Sequence, residues 1–114
     1  ELNFESDLSY EILSEFVHPW SYAEFENQYV NVGETLRKAM TFNPYLKIFV
    51  ANGYYDLGTP YFATEYTFDH LGLDKNLRDN ISMEYYEAGH MMYIHMPSLR
   101  QMKKDLANFI KSAM

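Results

Sequence analysis

Along the chain, apolar positions cluster at two different spacings, and Pro, Gly and Asn separate the clusters. Ser6 or Asp7 is placed to cap a short first helix that would bury Ile12, Leu13, Phe16 and Val17, and His18-Pro19-Trp20 stops it. Residues 18–30 carry no periodicity. Asn31 followed by Glu34 resembles a capping box, with Val32, Leu36, Ala39 and Met40 on one face of the helix that follows, and Asn43-Pro44 ends it. Leu46, Ile48, Phe49, Val50 and Ala51 then form a nearly unbroken apolar run, which predicts a strand covered on both faces at about 46–52. Thr59-Pro60 reads as an N-cap and first helical residue. The helix it predicts runs to about residue 71, with Ala63, Tyr66, Thr67, His70 and Leu71 as its buried stripe and Gly72 as its stop. Between about 80 and 87, Ile81, Met83 and Tyr85 alternate with Ser82, Glu84 and Tyr86, a second strand with one better-covered face. The pattern breaks at Gly89. Pro97 opens a last helix whose seam is Leu99, Met102, Leu106, Phe109 and Ile110.

The order helix, helix, strand, helix, strand, helix predicts an α/β chain with two parallel strands joined by a crossover and flanked by helices. A strand as apolar as 46–51 calls for a neighbour on each edge, yet the chain offers one other strand. Either a short strand hides in residues 18–32, or the sheet continues in sequence outside this chain. The second option is preferred, which makes residues 1–114 a single domain cut from a larger one. Its open sheet edge would then favour self-association.

Composition removes some function classes. Nine basic against sixteen acidic side chains give −7, and no basic cluster offsets it, so neither nucleic acid nor an anionic membrane is an expected partner. No apolar run approaches the eighteen or so residues of a spanning helix. Without Cys, disulfides and thiolate zinc sites are excluded. Aromatic residues make up 18% of the chain, enough to line a pocket as well as a core.

The candidate chemistry lies at the two strand ends. In "FVANGYYDLGTP" (residues 49–60), Asp56 follows the first strand; in "YYEAGHMMYIHMP" (residues 85–97), His90 follows the second. Parallel neighbours put both at the carboxyl edge of one sheet, where α/β proteins collect ligands and catalytic groups. An aspartate accepting a hydrogen bond from one imidazole nitrogen fixes the tautomer and leaves the other nitrogen as a general base. An Asx-turn at Asp56, or a purely structural His–Asp pair, has the same sequence pattern. His90 and His95 are not spaced as a metal-binding helical pair, and no metal or other cofactor is expected. His70 reads as a satisfied packing residue and His18 as part of a turn.

The segments "LKIFVANGYYDLGTP" and "YYEAGHMMYIHMP", with the helix between them and the helix that closes the chain, resemble the C-terminal portion of the serine carboxypeptidase family, above all its bacterial branch. The resemblance extends through "NVGETLRKAMTFNP" and back to "DLSYEILSE". It implies an α/β-hydrolase fold, whose triad runs Ser, Asp, His along the chain. It places the triad Asp on Asp56 and the triad His on His90. It also implies that Met91 borders the pocket for the departing C-terminal residue, that a peptide is the substrate, and that the parent is periplasmic or secreted. Tyr93 stands where many members have proline, and His95 where many have an acid. The Gly-x-Ser-x-Gly elbow is absent, since none of Ser6, Ser9, Ser14, Ser21, Ser82, Ser98 or Ser112 has the flanking glycines. The chain thus reads as the C-terminal fragment of a carboxypeptidase, inactive alone. A non-catalytic interaction module, and an esterase or acyltransferase on the same fold, are the alternatives. A flavodoxin-like signalling module is more distant, since this chain has neither the clustered partner acids nor a matching lysine strand.

Overall fold

The computed structural model describes residues 3, 5–9, 14–17, 19 and 21–113. The chain divides into two compact units, residues 1–30 and 31–114. In the first, 3-10 turns span Glu15–Val17 and Ala23–Phe25. Where a helix was expected to bury Phe16 and Val17, the described residues form the first of these turns, and the two residues are 92% and 55% exposed. Ser14 Oγ accepts from Phe16 N–H, and Ser6 Oγ from Leu8 N–H, local bonds that compete with helix formation. Ile12, Leu13, His18 and Trp20 lie outside the described residues. No strand occurs among the described residues of 18–32.

The second unit is α/β. Its elements are α1 (Gly33–Phe42), β1 (Ile48–Gly53), α2 (Tyr61–Asp69), α3 (Lys75–Arg78), β2 (Ile81–Tyr86) and α4 (Met96–Ser112). β1 and β2 pair in parallel, with Ile48 opposite Ile81 and Gly53 opposite Tyr86. Strand alternation puts Ile48, Val50, Ile81, Met83 and Tyr85 on one face and Phe49, Ser82, Glu84 and Tyr86 on the other.

The first face meets a core of Met40, Leu71 and Leu73, against which Leu36, Phe68 and Leu77 also pack. The opposite face meets α4. Phe109 lies against Phe49 with ring centroids 5.3 Å apart, Met102 joins a cluster of Tyr86, Ala88 and Met92, and Tyr86 Oη donates to Asp105 at 3.1 Å. β2 is therefore half-buried on both faces rather than on one. Buried Asn80 ties the strand starts together: its carbonyl accepts from Ile48 N–H at 2.8 Å, and its Nδ2 donates to Pro44 O at 2.7 Å.

Several expected faces are rotated. α1 begins at Gly33, and Glu34 pairs with Arg37 at 2.6 Å instead of closing a capping box with Asn31, whose Oδ1 accepts from Gly33 N–H. Leu36 and Met40 point inward, but Val32 and Ala39 are exposed. On α2 the half-buried residues are Tyr61, Thr64, Glu65 and Phe68, while Ala63, Tyr66, Thr67 and His70 are exposed. The reason is Tyr85, which draws Tyr61 and Glu65 toward β2 by a ring contact and a 2.6 Å hydrogen bond. Tyr66 instead stacks on His70 at 3.9 Å, and His70 Nδ1 bonds Tyr66 O at 2.7 Å, so His70 is satisfied at the surface, not packed in the core. Gly72, with φ +66°, turns the chain out of α2 as expected. The short α3, capped by Asp74 Oδ1 accepting from Asn76 N–H, has no counterpart among the predicted elements.

β1 is less covered than its sequence predicts. Ile48, Phe49 and Val50 are half-buried and Ala51 is exposed, because the sheet among the described residues has two strands. On α4, Leu106 and Ile110 stay 41% and 51% exposed. With Leu99 and Met102 they line an open apolar groove of about 500 Å³. No helix of the described residues is long and apolar enough to cross a membrane.

Candidate active site

The ladder between β1 and β2 continues beyond the strands. Tyr54 N–H donates to Tyr86 O at 2.9 Å and Tyr55 N–H to Ala88 O at 3.0 Å. The two outgoing loops are thereby stitched side by side. Gly53 makes this approach possible, since a Cβ there would lie 2.7 Å from Ala88 O and closer still to Gly89 O. The chain then turns, with Asp56 N–H donating to Gly53 O at 3.2 Å, and delivers Asp56 to His90.

His90 Nδ1 lies 2.8 Å from Asp56 Oδ2. The carboxylate is buried, with 4% of its side chain exposed, and the imidazole is 70% exposed. Asp56 Oδ1 accepts from Gly58 N–H at 2.8 Å and Thr59 N–H at 2.9 Å; Oδ2 accepts from Thr59 Oγ1 at 2.6 Å as well as from His90. These four donors fill the lone-pair positions of a carboxylate. They hold the Asp56 carboxyl far below the usual carboxylate range, the Thr59 hydroxyl first, then the Thr59 amide and His90, against a smaller opposing effect of burial.

An ionised Asp56 can only accept, so the proton shared with His90 belongs on Nδ1. That leaves Nε2 with its lone pair, and it makes no hydrogen bond among the described residues. This is the arrangement of a general base held by a carboxylate.

The depressed value has a consequence for stability. A carboxyl whose folded pKa lies below its unfolded one stabilises the fold fully above about pH 3.9, and the contribution is lost as pH falls from there through the folded value. We expect the Asp56 side-chain carbon to show no titration step between pH 7 and about pH 3 in carbon-detected NMR. Acid melts should also cost Asp56→Asn less stability than wild type between about pH 4 and pH 2. A normal step near pH 4 at this carbon would contradict the hydrogen-bond shell.

Other expectations are redistributed. Thr59, expected as the cap of α2, turns its hydroxyl to Asp56, and α2 starts from Pro60 with no side-chain cap. Met91 follows His90 and is 47% exposed. His95 pairs with Ser98, Nδ1 to Oγ at 2.8 Å, at the start of α4, so His90 and His95 serve different partners. Ser98 is 5% exposed, a satisfied helix-start residue with no open approach for a substrate. No group of three His, Asp or Glu side chains suited to a metal occurs among the described residues. Tyr54, Tyr61 and Tyr85 pack together, and the Tyr85 hydroxyl, bonded to Glu65, is pushed up to about 12.

Comparison with protein-family models, with curated proteins and with solved structures finds no match to this chain.

Proposed function

We propose that this chain is the C-terminal part of a serine carboxypeptidase-like α/β-hydrolase and supplies the Asp and His of its triad. The observation that carries the reading is the 2.8 Å bond between buried Asp56 and exposed His90 at the carboxyl ends of adjacent parallel strands. Its chain order, Asp before His, is that of the hydrolase triad. In the assembled enzyme, His90 Nε2 takes the proton of a serine that attacks the peptide carbonyl, and Asp56 stabilises the imidazolium formed. His90 then returns the proton to the leaving amine. Water hydrolyses the acyl-enzyme with the same base. Met91, beside His90, borders the position of the departing C-terminal residue.

The nucleophile and the oxyanion-hole donors belong to sequence upstream of Glu1. The outer edges of the two-stranded sheet and the groove along α4 are surfaces that the missing strands and helices of such a fold would cover. The same pair would serve an esterase or acyltransferase, and a module that only binds partners would use the open edge but not the pair.

Two observations test the proposal. The coding sequence upstream of Glu1 should contain a Gly-x-Ser-x-Gly elbow after a predicted strand. The isolated chain should neither hydrolyse a chromogenic ester nor react with a serine-directed phosphonate, because a base without nucleophile and oxyanion hole does not transfer acyl groups. Covalent labelling of purified residues 1–114 would overturn the assignment of the nucleophile to another segment.

A further inference from the structure

We propose that Thr59 is a positioning residue of the Asp56–His90 pair: its hydroxyl locks the rotation of the carboxylate and so holds the Nδ1–H tautomer of His90. The inference rests on the proposed function only for its catalytic consequence. Its structural content stands on the hydrogen bonds alone.

Three features carry it. Thr59 Oγ1 donates to the oxygen that His90 uses, Oδ2, at 2.6 Å, and lies 3.3 Å from His90 Nδ1. Both backbone donors, Gly58 N–H and Thr59 N–H, go to the other oxygen. Those two bonds anchor Oδ1 and place no donor on Oδ2. The hydroxyl pins this second oxygen, so the carboxylate is held at both ends and one lone pair of Oδ2 is left for the ring.

The second feature is what the hydroxyl gives up. A threonine one residue before Pro60 is placed to cap a helix, yet α2 has no side-chain cap. A locally favoured bond is forgone in favour of one at the site, a pattern expected where function constrains structure. The third is the residue type. Branching at Cβ restricts χ1, so the hydroxyl direction is set before His90 arrives.

His90 cannot hold itself in place, with its ring 70% exposed and no other hydrogen-bond partner among the described residues beyond Thr59 and Asp56. If the carboxylate is free to tilt, the ring exchanges its bond for water, and an imidazole in water prefers the proton on Nε2. The base then presents N–H where a lone pair is needed.

The test is the tautomer of His90 in 15N-histidine-labelled chain, read from the two ring nitrogens in long-range proton–nitrogen spectra at alkaline pH. Wild type and Thr59→Ser should show Nδ1–H as the dominant form. Thr59→Val, which keeps shape and branching but removes the hydroxyl, should shift the tautomer ratio roughly tenfold toward Nε2–H. If Thr59→Val fails to fold by circular dichroism, Thr59→Ala replaces it with the same expected shift. In wild type the Thr59 hydroxyl proton should be protected and show a cross-peak to the His90 ring. A hydroxyl variant that folds with an unchanged tautomer, or a hydroxyl proton exchanging as fast as that of a free threonine, overturns the proposal.

In the full-length parent, Thr59→Val should lower kcat with little change in KM, and Thr59→Ser should restore it. Failure of the proposed function leaves a different trace: the tautomer shifts as expected, but no variant of Asp56, Thr59 or His90 changes any hydrolysis.

Discussion

On the proposed function, replacing Asp56 by Asn in the full-length parent is expected to lower kcat by about 10⁴-fold with the fold intact. The amide oxygen can still accept from the Gly58 and Thr59 N–H groups, which bond Oδ1 in the native chain. The amide nitrogen would then stand where Oδ2 accepts from Thr59 and His90, and it offers only N–H. Donor faces donor, so His90 takes the opposite tautomer and presents Nε2–H to the serine. Removing the base itself, by His90→Gln, should cost about as much as losing the nucleophile, roughly 10⁶-fold. Steady-state kinetics on a blocked peptide with a free C-terminus checks both. Losses below about tenfold for either variant would mean that the pair is structural.

The second large effect concerns the fold. Met40→Ala should destabilise residues 31–114 by roughly 2–5 kcal/mol, because Met40 is fully buried and the cavity left behind cannot collapse against Leu71 and Leu73 without moving α1. For a unit of this size that is a fall in melting temperature of about 10 °C or more. By contrast, Leu106→Ala on the same kind of apolar seam should cost little, since Leu106 is 41% exposed at the edge of the α4 groove. Thermal melts of the two variants side by side give the comparison.

That contrast marks how far the amino-acid pattern alone could be read. The seam of α4 is one periodic stripe in sequence, but only Leu99, Met102 and Phe109 are half-buried; nothing in a 3.6-residue period says whether a partner exists for Leu106 and Ile110. The same holds for β1. Its apolar run called for cover on both faces, and the cover is incomplete among the described residues. Helix faces were harder than helix positions. α2 was legible as an element from Pro60 and Gly72, but its buried side is decided by Tyr85, a residue of β2 that local periodicity cannot weigh. Tyr66 looked like core and instead covers His70 at the surface.

At the site, the two strand ends and their parallel pairing brought Asp56 and His90 together from sequence, because strand register and loop length leave few other places for them. Thr59 was not legible in this role. As a residue preceding Pro60 it fits a helix cap, and only the three-dimensional turn from Gly53 to Asp56 shows its hydroxyl aimed backward at the carboxylate. The departure of α1 from a capping box has a similar origin: Glu34 has Arg37 and Lys38 within reach on its own helix, and the ion pairs prevail over the cap.

The central claim is that Asp56 and His90 activate a serine carried by another segment of the parent chain. Its most direct test is to treat the full-length parent with a serine-directed phosphonate and locate the adduct by peptide mass spectrometry, with and without His90→Gln. One labelled serine is expected, upstream of Glu1 within a Gly-x-Ser-x-Gly elbow, with labelling lost in the variant. An adduct on a serine of residues 1–114, or labelling of the upstream serine at an unchanged rate without His90, would contradict it.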